Sequence, residues 1–185
     1  MRIIAGKFKG KKIFFSKSKI TRPLKDSVRE NIFNILKHSS KINVNIENSN
    51  ILDLYSGIGS FGLECISRGA KKVTFVEKDS ATIEILKKNI KILSINHNTR
   101  LINSEVEKIF KLIEKNKYNI FFLDPPFKDN IFAENIKIIN KKNLYEKNHL
   151  FIIHRERKSK DNLNDLNILI SKTYGRSKLI FGTLI

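Results

Sequence analysis

The chain has 185 residues, enough for one domain and too few for two of ordinary size. Its 36 Lys and Arg stand against 18 Asp and Glu, a formal charge of +18. That balance speaks against an acidic buffer or a disordered acidic tail, and for a polyanion partner: nucleic acid or an anionic membrane surface.

Part of the charge has a compositional origin. Lys (28), Ile (30) and Asn (20) make up 42% of the chain, as an A/T-rich codon bias would produce. Its distribution is uneven, however. Residues 1–41 carry 12 Lys/Arg and 2 Asp/Glu, a net of +10; residues 42–185 carry 24 and 16, a net of +8. A clustered basic segment is the footprint expected for phosphate contacts. The expected organisation is a basic N-terminal hairpin and helix over 1–41 on a catalytic core over 42–185, in one compact domain. The longest apolar runs, 120–123 and 150–153, are too short for a membrane helix. The basic N-terminus lacks the apolar run of a secretory signal. A lone cysteine, Cys65, gives no disulfide framework, so a reducing cytoplasm is the expected compartment. His38, His97, His149 and His154 show no metal-ligand spacing, and no metal is expected.

In chain order, residues 2–5 and 12–15 read as short strands around a turn with Gly6 and Gly10. Ser27 to Glu30 is a capping-box pattern, followed by an apolar face of Val28, Ile32, Ile35 and Leu36 with Phe33 beside it. Residues 39–50 form a polar linker. Strands are then expected at 50–54, 72–77, 100–103, 119–124 and 149–153. They alternate with helices at 60–68, 80–93, 104–116 and 131–140, the third opened by a second capping box from Ser104 to Glu107. Two last strands follow at 166–173 and 178–185. Alternating strand and helix with short apolar strands predicts an α/β doubly wound, mostly parallel seven-stranded sheet, covered on both faces.

Two motifs carry chemistry. Gly57, Gly59 and Gly62 form G-x-G-x-x-G between a strand and a helix, and Glu77 ends the next strand. This predicts a nucleotide-like ligand at the strand carboxyl ends, with Glu77 on ribose hydroxyls. Asp53 lies four residues before Gly57. A carboxylate there opposes a pyrophosphate but suits the amino group and sulfonium of S-adenosylmethionine; capping of the turn is its other reading. The second motif is Asp124-Pro125-Pro126-Phe127. Prolines remove two N–H donors, so the carbonyls there face no internal competition. The Asp124 carboxylate and Pro125 carbonyl can accept both N–H groups of an exocyclic amine, while Phe127 stacks on the base. A base within a helix must be unstacked to enter.

These motifs resemble motifs I, II and IV of class I S-adenosylmethionine-dependent amino-methyltransferases. The opening, Met1-Arg2-Ile3-Ile4-Ala5-Gly6-Lys7-Phe8-Lys9-Gly10-Lys11-Lys12, with Thr21-Arg22-Pro23 and Asp26-Ser27-Val28-Arg29-Glu30-Asn31-Ile32-Phe33, resembles the RsmD family. Gly62-Leu63-Glu64, Ser67-Arg68-Gly69-Ala70 and Tyr174-Gly175 extend the likeness over nearly the whole chain. Members methylate N2 of one guanine in bacterial small-subunit ribosomal RNA. The resemblance implies a Rossmann-like fold, S-adenosylmethionine as donor, and 16S rRNA, within a 30S assembly particle, as partner of a monomeric enzyme. It places Asp53, Tyr55, Ser56, Gly57, Gly59, Glu77, Ser104 and Glu105 at the cofactor, and Asp124 to Phe127 at the reacting base. Arg2, Lys7, Lys9, Lys11, Lys12, Arg22 and Arg29 would face RNA, the hairpin gripping it near the target. Leu24 stands where the family usually has Thr, and His154-Arg155 where the fifth strand commonly ends in Glu. Arg155, Arg157 and Lys158 read either as an RNA contact or as a solvated charge run.

Three alternatives stay open on the residues alone. They are a DNA or RNA adenine-N6 amino-methyltransferase, a dinucleotide oxidoreductase using the glycine turn, and a non-catalytic RNA-binding assembly factor.

Overall fold

The computed structural model describes residues 1–15, 24–113, 115–129 and 131–185. Seven strands form one sheet: β1 (Asn50–Leu54), β2 (Lys72–Glu77), β3 (Thr99–Asn103), β4 (Tyr118–Leu123), β5 (Tyr145–Glu156), β6 (Leu166–Tyr174) and β7 (Ser177–Leu184). Their order is β3-β2-β1-β4-β5-β7-β6. The first five are parallel, and β7 lies antiparallel between β5 and β6. The order reverses between β1 and β4. The crevice beyond their carboxyl ends is the place where open α/β sheets bind ligands.

Alternate strand residues feed two cores, as a period of two requires. On one face Ile51, Val73, Phe75, Ile120 and Phe122 pack under α1 (Asp26–His38), α2 (Ser60–Ser67) and α3 (Ser80–Ile92). On the other, Leu52, Leu54, Val76, Phe121 and Phe151 pack under α4 (Phe132–Lys141) and a short 3-10 helix (Val106–Lys111). Phe61 of α2 stacks between Phe33 and Phe122, with ring centroids at 5.5 and 4.1 Å, and so couples α1 to the sheet. Truncating so enclosed a ring costs about 3–5 kcal/mol. Ile3, Ile13 and Leu24 enter the same core, so the N-terminal segment is packed onto it rather than appended. Leu24 buries an apolar side chain there. Cys65 is wholly buried against the sheet.

Local expectations fail where a tertiary partner intervenes. The helix expected to be capped by Ser27 starts at Asp26, after Lys25, with no side-chain cap. Asp26 instead holds the buried Arg29 at 3.0 Å, one turn on. The second capping box is also absent. Ser104 N–H extends the strand pattern to the Glu77 carbonyl, Glu105 pairs with Lys108, and six residues of 3-10 helix replace the expected helix. β5 exceeds its expected five residues because its two ends find partners. Tyr145 pairs with Tyr118 across a bulge, and Arg155 and Glu156 pair with β7.

Candidate functional site

The turn after β1 is built by backbone conformations that glycine permits. Gly57 and Gly59 have φ of +54° and +82°, and Tyr55 also sits at +60°. A Cβ on Gly59 would lie 2.5 Å from Leu86, and one on Gly62 2.3 Å from Phe75, so these glycines let α2 and its turn close on the sheet and α3. A Cβ on Gly57 would meet nothing within 4 Å; this residue borders open space. Glu77 braces the turn from the next strand. Its Oε2 accepts from Gly57 N–H at 2.9 Å, and its Oε1 from Lys78 and Asp79 N–H at 2.9 Å each.

Asp53 lies beneath the turn, buried, and accepts the Gly62 N–H at 3.0 Å through Oδ2. That bond caps the first turn of α2. Its Oδ1 has no partner among the described residues, and neither has the buried Ser56 hydroxyl. Burial pushes the Asp53 carboxyl well above the usual range, and the negative charges of Asp124 and Glu77 push it further. Three acids thus converge on the end of the sheet, two of them pressing on the third. A cationic ligand relieves that repulsion and an anionic one worsens it. The residues therefore fit S-adenosylmethionine, whose sulfonium and amino group are positive, better than a pyrophosphate. The Tyr55 hydroxyl accepts from Asn135 Nδ2 at 3.1 Å, and burial near Asp129 raises its pKa. Ser104 is half-buried beside Glu77, whereas Glu105 is exposed and turned to Lys108.

The Asp124-Pro125-Pro126-Phe127 loop leaves β4 at the same end, next to β1. The Asp124 carboxylate accepts from His154 Nδ1 at 2.8 Å through Oδ1; Oδ2 accepts nothing from the described residues. The Pro126 carbonyl does not stand free as its sequence position suggests. It accepts from Arg155 Nη1 at 3.0 Å and from Asp129 N–H at 2.8 Å. Arg155 also holds the carbonyls of Phe127 and Asp129, pairs with Asp161 at 2.9 Å, and stacks on Phe132. It is wholly buried, so it is neither an RNA contact nor a solvated charge. The guanidinium fork fastens three carbonyls of the loop. No periodicity in the sequence announces this; the one signal is the departure at His154-Arg155. The Pro125 carbonyl accepts no hydrogen bond from the described residues. The Phe127 ring is 42% exposed and meets the His154 ring edge-on.

The basic segment runs along α2. Its two arms pair through an isolated bridge between Arg2 and Lys12 rather than two full strands. Glu64 accepts the Ile4 and Ala5 N–H groups, and Ser67 accepts those of Lys7 and Phe8. The tip from Gly6 to Gly10 therefore docks on the C-terminal end of α2. The glycine turn is at the N-terminal end, roughly 12 Å away for eight residues of helix. Lys7, Lys9 and Lys11 are exposed at and beside the tip, and Lys12, also exposed, lies on the arm that returns toward the glycine turn, where Asn89 donates to both the Phe14 and the Ile58 carbonyls. Arg2 is exposed as well. Arg29 is not: it is wholly buried, donating to the Arg2 carbonyl at 2.7 Å and the Ser60 carbonyl at 3.4 Å, and no RNA phosphate reaches it. Burial lowers its pKa, opposed mainly by Asp26. Arg22 lies outside the described residues, as do Thr21 and Pro23.

The whole chain matches known proteins. Residues 1–183 match a family model described as "Conserved hypothetical protein 95". The chain is 36% identical over 156 residues to Ribosomal RNA small subunit methyltransferase D of Buchnera aphidicola subsp. Acyrthosiphon pisum, covering 84% of this chain and 78% of that relative. To the protein of the same name from Haemophilus influenzae it is 34% identical over 159 residues, covering 85% and 79%. The solved structure of yhhF from Escherichia coli superposes with a TM-score of 0.82 at 28% identity, over 100% of this chain and 97% of that one. These matches, with the seven-stranded sheet described above, give the chain the fold of a Rossmann-like class I methyltransferase, and the chain belongs to the RsmD family.

Proposed function

We propose that the protein transfers a methyl group from S-adenosylmethionine to the exocyclic N2 of a guanine in 16S rRNA; guanine 966 is the nucleotide the family resemblance implies. The observation that carries this reading is the pair of adjacent acceptors left open in the proline loop. Asp124 Oδ2 and the Pro125 carbonyl accept nothing from the described residues, while the carbonyls of Pro126, Phe127 and Asp129 are tied to Arg155. Two acceptors match the two N–H bonds of an amino group. Holding both aims the nitrogen lone pair at the cofactor side and leaves Phe127 to stack on the ring. When bound, S-adenosylmethionine supplies an electrophilic methyl whose departure leaves a neutral thioether. Asp53, Ser56, Gly57, Gly59 and Glu77 hold it at the end of β1 and β2, with Tyr55, Ser104 and Glu105 at the rim. The proton that the amino group loses goes to Asp124 or to water.

The RNA would lie along the face that carries the N-terminal segment. A cleft of about 390 Å³ lies between the hairpin tip and the corner before β3, lined by Lys7, Phe8, Lys11, Ser94, His97 and Asn98 among others, with no carboxylate in its lining. The Lys7 and Lys11 ammonium groups stand 5.7 and 5.4 Å from the Phe8 ring centroid, a site for phosphate and base together. Residues 1–41 thus act as an RNA-binding arm on the 42–185 core, in a cytoplasmic monomer that works on a 30S assembly particle. No helix among the described residues is long and apolar enough to cross a membrane.

The test is transfer of labelled methyl from S-adenosylmethionine to naked 16S rRNA and to 30S particles, followed by nucleoside analysis. N2-methylguanosine is the expected product, with particles the better substrate. N6-methyladenosine would replace the substrate assignment by the adenine reading. Tight RNA binding with no transfer to either substrate would reduce the protein to an assembly factor.

A further inference from the structure

We propose that His154 is a positioning residue for the amino-transfer step: it fixes the Asp124 carboxylate by one oxygen and so reserves the other for the base. The inference rests on the amino-methylation reading above and adds the device that orients its acceptor. Asp124 is the first residue past β4, and strand pairing no longer constrains it. Its own N–H reaches the Leu54 carbonyl only at 3.4 Å. Its side chain is 23% exposed, and one partner among the described residues bonds its carboxylate.

β5 supplies that partner through register. Leu123 pairs with Ile153, which makes Asp124 and His154 the next facing pair along β4 and β5. His154 Nδ1 lies 2.8 Å from Asp124 Oδ1, and its Nε2 lies 2.9 Å from the Ser177 hydroxyl at the start of β7. A carboxylate only accepts, so the shared proton is on Nδ1; in the neutral ring, Nε2 then accepts from the Ser177 O–H. The imidazole is buried and also lies edge-on to the Phe127 ring, with centroids 6.2 Å apart. One side chain therefore aligns the acceptor of the amine and the ring that stacks on the base. The orienting chain runs Ser177 to His154 to Asp124 across three strands, each member held by the one before.

In the step itself the amino nitrogen forms the new N–C bond as the S–C bond breaks, its electron pair remaining on sulfur. The nitrogen releases one proton to Asp124 Oδ2 and then to solvent. His154 keeps its Nδ1 proton throughout, which separates a positioning role from that of a base.

The experiment compares wild type, His154→Ala, His154→Asn and Ser177→Ala in the RNA methylation assay, with Tm and S-adenosylhomocysteine binding measured for each. In His154→Ala, kcat falls about 10- to 100-fold, the cost of a misplaced acceptor, while KM for S-adenosylmethionine and Kd for RNA stay within about threefold. His154→Asn puts an amide nitrogen where Nδ1 was and regains about tenfold. Ser177→Ala loses about three- to tenfold. A His154→Ala enzyme within about twofold of wild-type kcat overturns the proposal, and so does a folded His154→Asn as slow as the alanine variant. If His154→Ala does not fold, Ser177→Ala at wild-type kcat overturns it. Wild-type protein that methylates no RNA base removes the amino-methylation reading and this inference together. Wild-type activity with unaffected variants removes the inference alone.

Discussion

The two ends of α2 differ in the sign of what they expect. At its N-terminal end the glycine turn stands over Asp53, whose pKa is raised first by burial and then by the negative charges of Asp124 and Glu77. At its C-terminal end the hairpin tip, anchored through Glu64 and Ser67, brings Lys7, Lys9 and Lys11 to the surface. One short helix thus separates a cluster of acids from a cluster of lysines. On the proposed function the contrast also separates roles, with chemistry at the acidic end and affinity at the basic end.

The largest expected effect lies at the acidic end. Asp124→Ala lowers kcat about 100- to 1000-fold by removing an oriented acceptor, while RNA Kd in a filter-binding assay stays within about threefold. A comparable loss of RNA affinity would show that the two ends are not separate. Next, Gly6→Ala attacks the basic end alone. The added Cβ would lie 1.9 Å from the Ser67 carbonyl oxygen at a φ of +81°, so the tip must lift from α2. The expected cost is about 2–4 kcal/mol, read as a fall in Tm of roughly 5–15 °C with S-adenosylhomocysteine affinity kept. Weaker cofactor binding in that variant would place the hairpin in the cofactor site.

A smaller effect is expected for the lysines. Replacing Lys7, Lys9 and Lys11 together with Ala weakens RNA binding and flattens the plot of log K against log salt by about 2, less than one unit for each lost phosphate contact. An unchanged slope would move the RNA to another face. The smallest effect is the titration of Asp53. Its folded pKa is raised above the ordinary 3.8, so its protonated form favours folding. That contribution is whole below 3.8 and fades as pH rises through the folded value. Tm of the free protein therefore falls by a few degrees as pH rises from 3.8 through the raised folded value, and the fall shrinks in Asp53→Asn. Saturating S-adenosylmethionine offsets the fall in wild type. A pH-independent difference between the two proteins would mean that Asp53 does not titrate with folding.

Much of the fold was legible because it rests on local pattern. The strands at 50–54 and 72–77 lie where their apolar runs place them, and Gly69, at a φ of +95°, ends α2 as a helix stop does. The two capping boxes were equally good patterns and failed. In each, a side chain or backbone group near the start had a better partner: Asp26 with buried Arg29, and Ser104 N–H with the Glu77 carbonyl. The glycine turn and the proline loop were legible as motifs because few residue types tolerate those backbones. Arg29 and Arg155 were misread for one reason. An arginine in a basic chain looks like surface, and only packing shows that its donors are spent on buried carbonyls.

The sequence by itself determined the sheet, the glycine turn, the proline loop and the sign of the partner to expect. Those follow from periodicity, from backbone restriction and from net charge, all of which are properties of residues in order. Tertiary structure decided where the charge stands, which acceptors stay open at Asp124 and Pro125, and that His154 and Arg155 serve the proline loop. These depend on hydrogen-bond competition between residues far apart in the chain. A donor's choice among several carbonyls is settled by distance and burial, which residue order does not contain.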